Sequence, residues 1–139
     1  MRGMIIVVAL LGAAGVGVGA FAAHGMEKYL VEQGLDAEAV VKRLEQCDVA
    51  VRYHMLHTLA MMIVALNMLA SGRKSKAAML ACLFWLLGIA LFSGGLYSMV
   101  FAGVMGHWAI VPSGGLCFII GWFSLAGLAF QSPATKEVR

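Results

Sequence analysis

Apolar positions in this chain come in long unbroken runs rather than in alternation, and the polar residues cluster between them. From Met4 to Ala23 no charged residue interrupts the sequence. That is the length, about 20 residues, that an α-helix needs to cross the roughly 30 Å hydrocarbon core of a bilayer. Two more runs follow, over about 77–101 after Lys76 and over about 112–131 from Pro112, the last closed by Gln131, Ser132 and Pro133. A fourth is shorter, because only thirteen residues separate His57 from the break at Ser71, Gly72 and Arg73. Helix two must therefore start near Val49, which draws His54 and His57 of the stretch "RYHMLH" below the membrane surface and sets Arg52 at its edge. The pattern predicts an all-α membrane protein, a four-transmembrane-helix bundle (4–23, 49–71, 77–101 and 112–131) forming one integral membrane domain over residues 1–139.

Between helices one and two lies the one substantial polar stretch. In "DAEAVVKRLEQCDVAV" the apolar Ala37, Val40, Leu44, Cys47 and Val51 recur at helical spacing, with Asp36 as N-cap and Gly34 breaking the chain before it. An amphipathic extramembrane helix is expected over about 36–48, lying on the outer surface or running straight into helix two. Composition agrees: 62% of the 139 residues are hydrophobic and 12% charged, against about a quarter charged in soluble domains, and the mean hydropathy is +0.90. A net charge of +3 spread along the chain lacks the basic patch of a nucleic-acid binder. "MR", an apolar run and "AFAA" also fit a cleavable secretory signal, but the run is as long as a true span and is expected to remain. Arg2, Arg73, Lys74, Lys76, Lys136 and Arg139 fall on one side of four spans, and Lys28, Lys42, Arg43 and Arg52 on the other with six of the seven acids. Both termini are therefore expected to be cytoplasmic, in a cytoplasmic (inner) membrane.

Candidate chemistry gathers at one level. Measured from the cytoplasmic ends, His24 closes helix one, His54 and His57 open helix two, Tyr97 closes helix three and Pro112 to Gly115 open helix four. His54 and His57 share a helical face with Ala50 and Met61, Ser93 shares one with Tyr97, and Arg52 points away toward Asp48. The pocket candidates are His24, His57, Ser93, Tyr97, His54 and Arg52. Three readings stand: histidines packed against a carbonyl or Tyr97, a proton-linked or ligand-binding pocket, or a metal held by His24, His54 and His57. Cys47, Cys82 and Cys117 have no metal-site spacing, and Met61, Met62, Met68 and Met79 read as apolar filler. No cofactor is clearly implied. Helix one, with Gly15 and Gly19 in GxxxG spacing, is expected at the bundle centre or an oligomer seam. Gly94 and Gly95 predict a kink or tight contact, Gly114 and Gly115 close backbone approach, and Gly121 room beside Trp122.

Four motifs in order resemble the YgdD-like family of small inner-membrane proteins, a domain of unknown function with a eukaryotic four-helix transmembrane relative. They are "GAFAAHG" at Gly19–Gly25, Tyr53 with His57, "FSGGLY" at Phe92–Tyr97, and Pro112, Gly114, Gly115, Phe118, Gly121 and Trp122. Ala22, His54 and Gly95 depart from the family pattern. The resemblance implies a fold and a location rather than an activity, and it favours His24, His57, Ser93 and Tyr97 over a paired-histidine metal site.

The chain has no nucleotide loop and no nucleophile with a base and carboxylate in one constellation, so it is expected not to be an enzyme. The first expectation is a membrane protein whose polar pocket near the outer leaflet binds a small ligand, a lipid or a partner subunit. Expected partners are membrane lipids and a homo-oligomer or larger membrane complex. The alternatives are a transporter or channel component with proton-linked histidines, and a metal or redox protein.

Overall fold

The computed structural model describes residues 2–104 and 108–130, and among them there is no strand. The close at Gln131, Ser132 and Pro133 falls outside the described residues, as do Lys136 and Arg139. The elements are α1 (Arg2–His24), α2 (Met26–Glu32), α3 (Ala37–Ser71), α4 (Lys76–Gly88), a π-helical turn (Ile89–Ser93), α5 (Gly94–Ala102), and α6 (Ile110–Ala126) with a 3-10 turn over Gly127–Phe130. α4, the π turn and α5 form one continuous 27-residue rod. Four helical stretches, Arg2–His24, Ala37–Ser71, Lys76–Ala102 and Ile110–Phe130, are long and apolar enough to cross a membrane.

The amphipathic segment is not a separate helix but the first turns of α3. Asp36 caps it, its carboxylate accepting from the Ala39 N–H at 2.8 Å, and Gly34 turns the chain before it at φ 81°. Nothing in 37–71 breaks the helix, so its 35 residues run about 52 Å, well beyond the roughly 30 Å hydrocarbon core. The projecting part packs beneath α2, where Met26, Leu30, Val40, Cys47 and Val100 form a closed apolar cluster. The Tyr29 hydroxyl donates to the Phe101 carbonyl at 3.0 Å, satisfying an acceptor left open at the end of α5. α2 and the start of α3 thus cap one end of the bundle.

The tightest seam joins the Lys76–Ala102 rod to α6. Gly88 and Gly95 lie two turns apart on one helix, Gly114 and Gly121 two turns apart on the other, and the helices run antiparallel. Gly88 faces the Phe118 ring, Gly95 Val111, Gly114 the backbone of Phe92, and Gly121 the Trp85 indole. The glycines are notches, and bulky side chains fill them from the opposite helix, which is how apolar helices gain contact in lipid. Gly95 does make the tight contact expected of it, and Gly114 the close backbone approach. Gly121 leaves the room expected beside Trp122, and the Trp85 indole fills it.

Helix one is not central. Only Val8 and Gly15 of α1 are buried, and the helix lies against α3 alone along most of its length, with Gly12, Gly15 and Gly19 facing Thr58, Met55 and Val51. The bundle centre belongs to α3, whose Met61, Val64 and Met68 pack with Ala78, Ala81, Cys82, Trp85, Ile89 and Phe118.

Candidate functional site

α3 presents two histidines, one turn apart, to two different surroundings. His57 is 2% exposed and lies flat on Phe118, ring centroids 3.6 Å apart and planes 10° from parallel. Its Nδ1 is 2.8 Å from the Tyr53 carbonyl, which can only accept, so Nδ1 carries the proton. The Trp122 indole N–H, which can only donate, reaches Nε2 at 3.2 Å. Both ring nitrogens are therefore used, and the geometry defines the neutral Nδ1–H tautomer. A proton on Nε2 would set two N–H donors face to face.

Around this link the aromatic side chains form a continuous wall. Tyr53 meets Phe92 at 4.9 Å between centroids, and Trp85 meets Trp122 at 4.8 Å. Outside the wall runs a lateral groove of about 520 Å³, lined by Tyr53, Leu56, His57, Phe92, Pro112, Gly115, Leu116, Phe118, Ile119 and Trp122. Its hydrogen-bonding groups are few, and those of His57 and Trp122 are already engaged with each other.

His54, also buried, is only half matched. Its Nδ1 shares a hydrogen bond with the Tyr97 hydroxyl, 3.2 Å, and its ring lies near the Leu11 carbonyl of α1, but Nε2 makes no well-formed hydrogen bond among the described residues. Thr58, one turn further along the same face, and Ser93, one turn before Tyr97, are both buried with unpartnered hydroxyls. α3 and the π turn run antiparallel, so the register that pairs His54 with Tyr97 brings Thr58 to the level of Ser93. A polar seam two turns deep therefore runs between α3 and the third span. Beyond it toward the chain-termini end, the packing is apolar through Met61, Ile89, Val64 and Cys82.

The structure brings together His54 with Tyr97 and aligns Ser93 beside them, and it places His57 one turn away in the aromatic wall. It does not bring His24 to them. His24 is exposed at the last turn of α1, lining a separate crevice with Glu27, Asp48, Gly19, Leu44 and Val51, because the chain turns at Gly25 and α2 drives Met26 and Leu30 into the space above the bundle. The trio His24, His54 and His57 thus does not converge, and the described residues contain no group of three His, Cys, Asp or Glu placed to hold a metal. Arg52 lies outside the pocket as well, paired with Asp48 four residues earlier on the exposed face of α3. Sequence reasoning passed over Trp122 as a partner of His57 and Thr58 as a member of the polar seam. No sequence signal pointed to the first, because span counting sets His57 level with Pro112 to Gly115, about two turns from Trp122.

Residues 18–115 match the family described as "Protein of unknown function (DUF423)". A "UPF0382 membrane protein" of Haemophilus influenzae is 43% identical over 130 residues, covering 94% of this chain and 95% of that one. The "UPF0382 membrane protein YwdK" of Bacillus subtilis is 34% identical, covering 94% and 98%, and the "UPF0382 inner membrane protein YgdD" of Escherichia coli is 34% identical, covering 87% and 84%. No solved structure matches the chain. Four apolar helices, the motifs that build their seams and near full-length similarity to these relatives make the chain a member of the DUF423 (UPF0382) family of membrane proteins, whose function is not known.

Proposed function

We propose that the protein is a non-catalytic, multi-pass protein of the inner membrane, with both termini cytoplasmic, that holds a lipid in the aromatic groove beside His57. The observation that carries this reading is the groove itself. It opens sideways from the bundle and its walls are apolar and aromatic. Of its hydrogen-bonding side chains, His57 and Trp122 are spent on each other, which leaves the Tyr53 hydroxyl as the polar group of an otherwise apolar lining. An occupant is then recognised by shape and apolar contact, which suits a lipid chain better than a polar solute. The name of the Escherichia coli relative and the distribution of basic residues support the location.

The test uses phospholipids brominated on the acyl chain, which quench tryptophan by contact. In a Trp108→Phe variant, quenching of Trp122 is expected to saturate at a low brominated fraction, and a further Trp122→Phe change to abolish that phase. Quenching that rises only in proportion to the brominated fraction would contradict the reading.

A proton-linked transporter is the second reading, favoured by the unpartnered atoms of His54, Thr58 and Ser93. It requires a polar path, whereas the packing beyond Thr58 and Ser93 is apolar within one chain. Proteoliposomes carrying a pH-sensitive dye inside would decide for it if wild type, and not His54→Gln, collapsed an imposed proton gradient.

A further inference from the structure

The end of the bundle that carries the chain termini has a crevice unlike the aromatic groove. It occupies about 490 Å³ between the end of α3, the start of α4 and the end of α6. Arg73 and Lys74 stand at its rim, both exposed, and none of the described residues that line it is a carboxylate. Lys76 follows within the first turn of α4, whose N-terminus adds the positive end of a helix dipole. One step deeper on the same face of α3 lie Ser71, whose hydroxyl donates to the Met68 carbonyl at 3.5 Å and accepts from the Arg73 N–H at 3.4 Å, and Asn67, which offers its amide. Deeper again the walls become apolar, with Ile63 on α3 facing Leu125 and Leu128 of the fourth span.

We infer that this crevice is a binding site for one anionic phospholipid of the leaflet on the side of the termini. Its layers follow the order of the lipid itself: cations where the phosphate lies, hydrogen-bonding groups about 6 Å further in at ester depth, and apolar walls for the start of the chains. The glycine at the end of α3 sets the rim. Gly72 adopts φ 66°, the left-handed turn that ends a helix, and this reverses the chain so that Arg73 and Lys74 overhang the crevice mouth. A membrane surface attracts any basic loop, but only a crevice with matching depth retains a lipid after the bilayer is removed. The inference does not rest on the aromatic groove, which opens among different residues nearer the other end of α3.

The full chain in nanodiscs of phosphatidylglycerol and phosphatidylcholine in equal amounts, released for native mass spectrometry, tests it. Wild type is expected to retain one phosphatidylglycerol in roughly tenfold or greater preference to phosphatidylcholine, the scale that two nearby cationic side chains provide. The double variant Arg73→Gln/Lys74→Gln, confined to exposed side chains, is expected to lose that preference. Ile63→Trp, which keeps the charges and narrows the crevice, is expected to lose the bound lipid while its circular dichroism stays helical. Lys42→Gln/Arg43→Gln at the opposite end is expected to behave as wild type. Equal retention of the two lipids by wild type, equal loss in the Lys42/Arg43 control, or displacement of the adduct by inorganic phosphate alone would overturn the inference.

Discussion

The two sides of α3 solve the same problem, a histidine inside a membrane helix bundle, in opposite ways. Toward α6, His57 is closed in by aromatic rings and has a partner on each nitrogen. Toward the third span, His54 has one well-formed hydrogen bond, and Thr58 and Ser93 beside it have none among the described residues. Burying a polar group without a partner costs about 1–3 kcal/mol, so the pairing of His57 on both nitrogens contributes rigidity, while the unmet demand among the described residues lies with Thr58 and Ser93 toward the third span and with the Trp85 indole N–H in the aromatic wall. The difference follows from the helices opposite. α6 meets its neighbours through glycine notches that let rings close around His57, whereas the π turn, with one extra residue per turn, offsets Ser93 and Tyr97 from regular packing.

The sharpest way to break the closed side is Gly114→Ala. A methyl group there would fall on the Phe92 backbone, which cannot swing aside, so a loss of more than about 3 kcal/mol is expected. Gly115→Ala is its control, since a methyl group there would sit 3.8 Å from the Phe92 ring in ordinary contact. Thermal unfolding in detergent should leave Gly115→Ala near wild type while Gly114→Ala fails to give a folded peak. Equal behaviour of the two would dissolve the notch explanation.

Next in size is His57→Leu, which strands the Trp122 indole N–H and removes the stack on Phe118. A loss of about 2–4 kcal/mol is expected, together with a shift in Trp122 fluorescence. On the open side, Tyr97→Phe leaves the buried His54 Nδ1 without its partner and should cost about 1–3 kcal/mol. Thr58→Val combined with Ser93→Ala removes two unpartnered hydroxyls and should be neutral or slightly stabilising in the same unfolding assay. A clear loss there would mean that the two hydroxyls have partners and that the contrast between the sides is smaller than drawn. Smallest of all, Arg52→Ala should leave the melting temperature unchanged, because its pair with Asp48 lies in solvent-exposed positions.

Much of the bundle was legible in the sequence, and the reasons are physical. Span length and the absence of charge depend on bilayer thickness, which makes the four helices readable from Met4–Ala23 and its counterparts. Asp36 and Gly34 marked the start of α3 because a cap and a left-handed turn each demand particular side chains. The rotation of one helix against another is not written in this way. Many faces of α1 are small and apolar, so its sequence alone left open which face meets α3, and His24 fell on the outside. The π turn left only the paired glycines Gly94 and Gly95 as a trace, and span counting set Tyr97 level with both histidines without saying which one it meets, which is His54. The partnership of His57 with Trp122 joins helices 65 residues apart, and only the fold reveals it.

Histidine side-chain ¹⁵N NMR of the protein in nanodiscs, with His57 assigned by comparison to His57→Asn, measures the core of this contrast directly. The expected result is a neutral His57 ring protonated at Nδ1, with Nε2 unprotonated and its signal shifting when Trp122 is changed to Phe. A ring protonated at Nε2, or one charged at neutral pH, would contradict the link from Tyr53 through His57 to Trp122 on which the closed side of the bundle rests.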